Sequence, residues 1–290
     1  MELSIADSIW LEEDNEFIDD YLEVLKEYHG AKARELSFGD PESSAEINEW
    51  VSDATEEMIE DIYEIGEPAP PVLFVLINAI YFHGEWMEDF DPEETKDKEF
   101  TLDDGTTREV AMMQRESEGS NEYQYYDGEG FESVRIPYGE DASGTAMYIF
   151  VPDDSLDDFY ARLDGDNWDK WMEGFSSKPG TIGLPRFEIG FDEDLIDPLQ
   201  EMGMEEAFYP GEADFSAISP TDIFVDEVRH VGEVEVDEKG TEAAAVTVVE
   251  GAMGEGPEPF EVMADRPFFF VIRDDNAESI LFAGALADPM

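Results

Sequence analysis

Alternating apolar and charged positions predict a strand near the C-terminal end of the chain, over residues 233–250. Val234 and Val236 alternate with acidic residues, which is typical of a strand with one buried face. Beyond Gly240, positions 241, 243, 245, 247, 249 and 251 carry no charge and nothing larger than valine. The positions between them carry Glu242 and Glu250. Such a segment can pack as a strand with its small face on a core and its charged face in water.

The same run leads directly into residues that favour a loop. Gly251, Gly254, Gly256, Pro257 and Pro259 follow within nine residues. Glycine and proline in this density interrupt strands and mark exposed turns. Patterning alone leaves two interpretations open, an ordinary strand with its turn and a strand able to slide between two others, followed by an exposed loop.

The rest of the chain mixes helices and strands without regular βαβ alternation, which predicts an α+β fold. Strands are predicted at Leu3–Leu11, Ala31–Phe38, Val72–Phe82, Thr181–Gly190, Phe224–Asp237, Pro267–Ile272 and Ile280–Leu286, with two more inside Gly128–Pro152. Helices are predicted from Asn15 to Gly30, from Asp40 to about Ile62, over Leu156–Trp171 and over Leu195–Met204. Val72–Phe82 is apolar on both faces apart from Asn78, so we expect it to be covered on both sides.

Composition narrows the classes of function. The 290 residues carry 76 acidic and 16 basic side chains, a net charge of −60, with a normal apolar fraction of 42%. Acidic residues are spread over the whole chain, and there are enough apolar residues for a core. This combination predicts a protein adapted to concentrated salt, because salt screens the repulsion between the protein's own charges. The alternative is an acidic surface that recruits a basic partner. Nucleic-acid binding is disfavoured because phosphates require basic patches.

Cysteine is absent, which excludes disulfides and thiolate chemistry. The sequence predicts no membrane span and shows no signal peptide within residues 1–20. It predicts no catalytic residues, no metal and no cofactor. The three histidines, His29, His83 and His230, belong to no catalytic or metal-binding motif. Asp103, Asp104 and Gly105 are interpreted as a solvated turn, because the spacing of a calcium-binding loop is absent.

Three long motifs resemble those of the serpins. The run E-K-G-T-E-A-A-A-V-T at 238–247 is similar to the hinge of the serpin reactive-centre loop. The run V-M-A-D-R-P-F-F-F-V-I at 262–272 resembles the C-terminal signature of the family. The run I-N-A-I-Y-F-H-G-E-W at 77–86 resembles the third strand of its large central sheet. The motifs occur in the family's order, and the resemblance extends from about residue 3 to the end.

The resemblance implies one serpin-like domain over residues 1–290. We expect a large, mostly antiparallel central sheet, additional sheets, covering helices and an exposed reactive-centre loop at 238–259. The family pattern has a further helical block before the first strand found here, so the domain is expected to be incomplete at its N-terminus. A secretion signal would lie in that block. The expected location is therefore extracellular, with a cytoplasmic location as the alternative.

The resemblance implies inhibition of a serine-type endopeptidase by a monomeric suicide substrate that is not an enzyme. Family spacing counted forward from Gly240 places the residue before the reactive bond at Gly254, whereas spacing counted back from Pro267 places it at Met253. Met253 is favoured, because a methionine side chain fills a protease pocket and glycine fills none. Methionine suits chymotrypsin-, elastase- or subtilisin-like targets, with a cysteine protease as the alternative. A trypsin-like target is disfavoured because no Lys or Arg lies between Lys239 and Arg266. The alternative is a non-inhibitory serpin-like binding or structural protein, inactive because the N-terminal block is absent.

The resemblance also assigns roles to individual residues. The hinge residues are Glu238, Gly240, Thr241, Glu242, Ala243, Ala244 and Ala245. Asn78 and His230 match a hydrogen-bonded pair at the point where the central sheet opens, and we expect them to be buried together. Trp86, Arg186 and Glu238 match residues where the loop first enters the sheet. An ion pair between Arg186 and Glu238 would hold the hinge closed.

Overall fold

The computed structural model describes residues 2–13, 15–29, 31–38, 40–55, 57, 59, 62–63, 74–117, 122–140, 142, 144–239 and 258–289. The strands in this part of the chain are β1 (Glu2–Glu12), β2 (Lys32–Leu36), β3 (Phe74–His83), β4 (Lys96–Thr101), β5 (Thr107–Glu116), β6 (Tyr123–Gly128), β7 (Phe131–Pro137), β8 (Thr145–Pro152), β9 (Ser176–Lys178), β10 (Gly180–Pro185), β11 (Phe187–Asp194), β12 (Glu227–Val236), β13 (Phe260–Met263), β14 (Phe268–Asp274) and β15 (Ser279–Leu286). The helices are α1 (Asp19–Val24), α2 (Pro41–Ala54), α3 (Leu156–Tyr160), α4 (Gly165–Gly174) and α5 (Ile196–Glu201), with a π-helix at Leu25–His29 and a 3-10 helix at Glu206–Phe208.

The strands form three sheets. The first has five strands in the order β11-β12-β3-β1-β2, the second has four in the order β13-β10-β5-β4, and the third has six in the order β15-β14-β8-β7-β6-β9. The α+β class predicted from the sequence is confirmed. The chain divides into two compact units, one of residues 2–82 and 189–234 and the other of residue 1, 83–188 and 235–290. The assignment of residues 1–290 to a single domain stays a prediction.

The unit of residues 2–82 and 189–234 contains most of the five-stranded sheet. One face of this sheet packs on α2, where Ile47 and Val51 meet Trp10, Ile77 and Val231 in a core of buried side chains. The residues at the N-terminal end of α2 are ones that strongly favour the start of a helix. Asp40 is the N-cap, its carboxylate accepts a hydrogen bond from the amide of Glu42 at 3.0 Å, and Pro41 occupies the first turn.

The other unit contains the four- and six-stranded sheets. Aromatic side chains dominate its core, with Phe131, Phe150, Phe159 and Trp171 in mutual ring contact. Each helix that covers them starts at a capping side chain, since Ser155 accepts from the amide of Asp158 and Asp164 accepts from the amide of Asn167. Aromatic rings contribute large apolar areas, so this cluster stabilises the sheet without any disulfide.

Several local predictions are wrong for identifiable reasons. The single helix predicted over 156–171 is two helices, because Asp164 caps a new start. Asn15 does not begin α1; the N-cap is Ile18. The central sheet is mixed and not mostly antiparallel, since β1 pairs in parallel with β2 and β12 pairs in parallel with β3. The sequence predicts that both faces of β3 are covered, but only one is. Val75, Ile77 and Ala79 are buried, while Leu76, Asn78 and Ile80 on the other face are half-exposed.

The nine arginines all make described contacts, although acidic residues outnumber basic ones almost fivefold. Carboxylate pairs are made by Arg34 with Glu46, Arg108 with Asp288, Arg135 and Arg273 with Asp275, Arg186 with Glu238, Arg229 with Asp192 and Arg266 with Asp265. Arg115 donates to the hydroxyl of Tyr123, and Arg162 donates to the carbonyls of Asp158 and Glu129. Eight of these guanidinium groups therefore join separate parts of the chain, Arg266 through the carbonyl of Pro152, while Arg273 pairs with Asp275 only two residues away. Because acidic residues are far more numerous than basic ones, most carboxylates have no cation with which to pair.

The described residues contain no helix that is long and apolar enough to cross a membrane. Within that same part of the chain, no group of three or more His, Asp or Glu side chains is arranged to hold a metal ion.

Candidate functional site

Three consecutive carbonyl groups just after β12 are held by one short loop. The indole Nε1 of Trp86 donates to the carbonyl of Asp237 at 2.8 Å, and the backbone amide of Trp86 donates to the carbonyl of Lys239 at 3.1 Å. Between them, the amide of Phe90 donates to the carbonyl of Glu238 at 2.8 Å. We call these three hydrogen bonds the carbonyl clamp. They fix the chain where the predicted reactive-centre loop begins.

The clamp is rigid because Trp86 is itself fixed. Its ring stacks on Tyr138 with centroids 4.3 Å apart and meets Phe90 edge-on at 6.0 Å. Trp86 is 4% exposed, so almost all of the indole is out of water. Backbone bonds from Met87 to Pro137 and from Gly139 to Glu85 hold the same loop against the end of β7. A buried indole N–H needs an acceptor, and the carbonyl of Asp237 supplies it.

The side chain of Glu238 is held as firmly as its carbonyl. Its Oε1 accepts hydrogen bonds from Arg186 Nη2 and from Thr95 Oγ1, each at 2.5 Å. The side chain of Glu238 is 4% exposed, whereas that of Arg186 is 49% exposed. Burial alone would raise the pKa of the Glu238 carboxyl, but the hydrogen bonds from Arg186 and Thr95 outweigh it, so the pKa lies below its ordinary value. Glu238 is therefore a buried carboxylate that stays ionised.

Arg186 is positioned by the sheet beside it. It is the single residue between β10 and β11, and its amide donates to the carbonyl of Ala111 at 2.9 Å. The hydrogen bond to Glu238 raises the pKa of Arg186, so the guanidinium remains charged throughout the working range. The ion pair that the resemblance implied is present, and its role in holding a hinge stays a prediction.

Further charges surround the clamp. The guanidinium of Arg115 lies 4.8 Å from the ring centroid of Phe90 and donates to the hydroxyl of Tyr123 at 2.9 Å. The pKa of Asp89 is raised by burial and then by Glu85, with Arg115 and Lys239 acting in the opposite direction. The loop that forms the clamp thus combines aromatic packing with a mixed set of charges.

A second group of predicted site residues lies in the middle of the five-stranded sheet. β3 and β12 pair in parallel from Glu227 opposite Val75 to Val234 opposite Phe82, and Asn78 is opposite His230. Asn78 Nδ2 donates to Asp7 Oδ1 at 2.7 Å, while the ring of His230 meets Phe191 edge-on at 5.3 Å. Partial burial lowers the pKa of His230 and favours the neutral imidazole.

The prediction of a buried, mutually bonded Asn78 and His230 is wrong in this structure. Both residues are half-exposed, and the described hydrogen bond of Asn78 goes to Asp7 on the neighbouring strand. The two residues do lie opposite each other across β3 and β12. The face of β3 that carries Asn78 is the incompletely covered one, so water competes for both side chains.

Other predicted residues lie outside the described part of the chain. These are Gly240, Thr241, Glu242, Ala243, Ala244 and Ala245 of the hinge, and Met253 and Gly254 of the reactive bond. Sequence reasoning missed Thr95 and Phe90, which contact Glu238 from more than 140 positions away. A threonine before a charged strand and a phenylalanine in a turn give no signal of such a contact.

The arrangement is suited to holding a chain segment. The clamp fixes residues 237–239, and the chain then passes into a run of small side chains before it returns at β13, on the edge of the four-stranded sheet.

Comparison with known proteins gives a consistent assignment. A family model described as "Serpin (serine protease inhibitor)" matches residues 1–289. A relative named "Serpin B6", from Pongo abelii, is 32% identical over 295 residues, which cover 99% of this chain and 77% of that protein.

Solved structures agree with the sequence comparison. The crystal structure of native protease nexin-1 with heparin has a TM-score of 0.86 and 26% identity, and the match covers 99% of this chain and 77% of that one. The structure of human thyroxine-binding globulin complexed with thyroxine also has a TM-score of 0.86, covering 99% and 75% of the two chains; at 24% identity it shows the fold alone. The chain spans about three quarters of the length of each of these proteins.

Proposed function

Because the chain belongs to the serpin family and has the serpin fold, we propose that it inhibits a serine-type endopeptidase as a suicide substrate. The observation that carries the proposal is the parallel pairing of β3 with β12 in the interior of the five-stranded sheet. The small-faced run at 241–251 follows β12 directly in the chain. A strand that turned back after β12 would run antiparallel to both β3 and β12.

Insertion of that strand would improve the sheet. One parallel pair of eight residues would be replaced by two antiparallel pairs, and antiparallel pairing is slightly more stable per residue. The sixteen residues from Glu238 to Met253 span about 50 Å as a strand, at ~3.3 Å each. The uninserted loop therefore stores free energy that cleavage releases.

The proposed chemistry belongs to the protease. Its nucleophile attacks the carbonyl carbon of Met253, the bond to Gly254 breaks, and the new amine leaves on Gly254 while Met253 remains as an acyl-enzyme. Insertion of the freed segment would carry the attached protease away before water hydrolyses the ester. The inhibitor supplies the cleavable loop and the stored free energy, but no catalytic residue.

The proposed targets follow from the residue before the reactive bond. Methionine fills an apolar pocket, which suits chymotrypsin-, elastase- or subtilisin-like proteases, and a cysteine protease would form the corresponding thioester. Met253→Arg should redirect the loop to trypsin-like enzymes, whose pocket binds a cation. Mass spectrometry of the cleaved loop gives the position of the cut, and a cut outside residues 252–255 would show that the assignment is wrong.

A matched pair of hinge substitutions tests the mechanism. Thr241→Arg places a charge on the face that becomes buried on insertion, which costs several kcal/mol without a partner. Glu242→Arg places the same side chain on the face that stays in water. We expect Thr241→Arg to convert the inhibitor into a substrate and Glu242→Arg to leave it an inhibitor. The ratio of covalent complex to cleaved product on a denaturing gel, measured in molar salt, distinguishes them.

Two outcomes would overturn the proposal. If the unmodified protein forms no covalent complex with any serine protease that cuts its loop, it is a non-inhibitory binding or structural serpin. If the two arginine variants behave alike, insertion with alternating faces does not occur.

The proposed setting is a salty, extracellular one. The net charge of −60 supports the salty setting, because dilute buffer leaves such charge unscreened, and the extracellular location is proposed from the family resemblance alone. The clamp, whose carbonyls are held by an aromatic loop, would keep the hinge in place until the loop is cut.

A further inference from the structure

Arg115 differs from the other arginines of the chain in its partners. Seven of the nine arginines pair with a carboxylate, and Arg162 donates to two backbone carbonyls. Arg115 forms no ion pair with any carboxylate that the structure describes. Its described partners are the hydroxyl of Tyr123, which accepts from Nε at 2.9 Å, and the rings of Phe90 and Tyr123. In a chain with 76 acidic side chains, such a cation is unexpected.

The guanidinium group of Arg115 lies against both rings. Its central carbon is 4.8 Å from the ring centroid of Phe90 and 5.4 Å from that of Tyr123, residues that are 1% and 7% exposed. One terminal nitrogen, Nη1, is buried without a hydrogen-bond partner, and no other side-chain nitrogen or oxygen in the described ranges is in that position. A buried donor without an acceptor costs free energy, and more so when the group is charged. This nitrogen therefore requires an acceptor that the described residues do not supply.

The groups around Arg115 do not neutralise it at contact distance. Burial raises the pKa of Tyr123, so its hydroxyl carries no negative charge near neutral pH. Asp89 and Glu116 are exposed to water, and the pKa of Asp89 is raised, first by burial and then by Glu85. In concentrated salt, the attraction between Arg115 and exposed carboxylates is largely screened. The counter-charge of the buried nitrogen must then be an ion in direct contact with it.

We propose that Nη1 of Arg115 binds a weakly hydrated halide ion, such as chloride or bromide, beside the rings of Phe90 and Tyr123. One terminal nitrogen offers two N–H groups at most, which suits a spherical ion that makes no directional demand. Acetate, phosphate or sulfate would bring several acceptor oxygens into aromatic surroundings with too few donors to satisfy them. Molar halide would fill even a weak site by mass action. Such a site does not depend on protease inhibition.

The bound ion would act on the carbonyl clamp. Arg115 packs on the ring of Phe90, and the amide of Phe90 donates to the carbonyl of Glu238 at 2.8 Å. The same ring meets Trp86 edge-on at 6.0 Å. An ion that neutralises Arg115 removes the cost of burying an unpaired cation against these rings. The packed arrangement that places both clamp donors is thereby stabilised.

Anomalous scattering tests the site in the unmodified chain. In crystals grown from molar potassium bromide, we expect a bromide peak in contact with Nη1 of Arg115. A water molecule at that position, without an anomalous peak, would overturn the proposal. Equimolar potassium acetate should leave the bromide in place. Loss of the bromide peak in acetate would show that the site selects carboxylates, and would also overturn the assignment of a halide.

The line width of chlorine-35 in NMR tests the site in solution, because chloride that exchanges with a protein site gives a broadened line. Arg115→Gln should remove most of the excess line width that the unmodified protein produces in molar potassium chloride. Arg162→Gln is the matched control and should leave the line width unchanged, because the described partners of Arg162 are carbonyls and include no carboxylate. Equal line widths for the two variants would overturn the proposal.

Circular dichroism confirms that each variant is folded. Should Arg115→Gln fail to fold, the bromide peak in the unmodified chain decides the outcome.

Discussion

Arg186 and Glu238 form an ion pair in which only the cation is open to water. The guanidinium side chain is 49% exposed and the carboxylate side chain is 4% exposed. The two partners therefore depend on each other unequally. Without Glu238, the cation is still hydrated, but without Arg186 a buried carboxylate retains only the hydroxyl of Thr95 and the few dipoles around it.

This asymmetry predicts the effects of two substitutions. Arg186→Ala should lower the free energy of unfolding by about 1–3 kcal/mol, because it leaves a buried charge under-satisfied. Glu238→Gln keeps an acceptor for Thr95 and should cost less than ~1 kcal/mol. Urea unfolding in molar salt measures both. Arg34→Ala is the control, because Arg34 and its partner Glu46 are about equally exposed at 40% and 39%. Equal losses for Arg186→Ala and Arg34→Ala would contradict the argument.

The same pair predicts a dependence on pH. The pKa of Glu238 is lower in the folded protein than its ordinary value, so the unfolded chain binds a proton first as the pH falls. The stability that Glu238 contributes is therefore complete above about pH 4.3 and is lost as the pH falls through the folded value. Many other carboxylates titrate in this range. The quantity to follow is the difference in unfolding free energy between the unmodified protein and Glu238→Gln, which should change with pH in this window and be constant above it.

His230 predicts a second, separate window. Burial lowers the pKa of its imidazole in the folded state, so the unfolded chain binds the proton more readily. Stability should fall as the pH is lowered from about 6.5 to the folded pKa and then level off. His230→Gln should remove this component, which can be read from unfolding midpoints between pH 5 and 8. If the ring titrates at or above 6.5 by NMR, the expected sign is wrong.

The carbonyl clamp predicts a local effect of Trp86→Phe. This change keeps most of the ring packing on Tyr138 and removes the donor to the carbonyl of Asp237, at a cost of about 1 kcal/mol. Amide hydrogen exchange should quicken at the residues next to the clamp and not across the sheets. Trp171→Phe, in the aromatic core, is the matched control and should leave exchange near residues 237–239 unchanged.

The charge predicts that folding requires salt. At molar ionic strength the Debye length is about 3 Å, so most of the repulsion within a chain of −60 is screened. Circular dichroism over a salt series should show a thermal midpoint that rises steeply with salt. A cooperative transition with the same midpoint in dilute buffer would contradict salt adaptation.

The sequence predicted the fold far better than the contacts of the site. The serpin fold is confirmed, because long motifs such as 77–86 and 262–272 specify strands whose order is fixed by the family. Trp86 and Glu238, which lie in two of the motifs, come close together as expected, and Arg186 pairs with Glu238 as the resemblance implied. Thr95 and Phe90 could not be found, because their contacts depend on how a turn approaches a strand far away in sequence. The burial of Asn78 was predicted wrongly, because strand periodicity indicates the face on which a residue lies but not how fully that face is covered.

The arginine contacts determine which substitutions the chain can accept. Eight of the nine guanidinium groups join separate parts of the chain, and Asp275 pairs with both Arg135, which is distant in sequence, and Arg273, which is two residues away. Loss of an arginine therefore removes a cross-connection, whereas loss of most acidic residues removes only surface charge. Conversely, a new basic side chain would find an acidic neighbour at almost any exposed position. A saturation mutagenesis screen should accordingly find the arginines among the least replaceable polar positions and the acidic residues among the most freely exchanged.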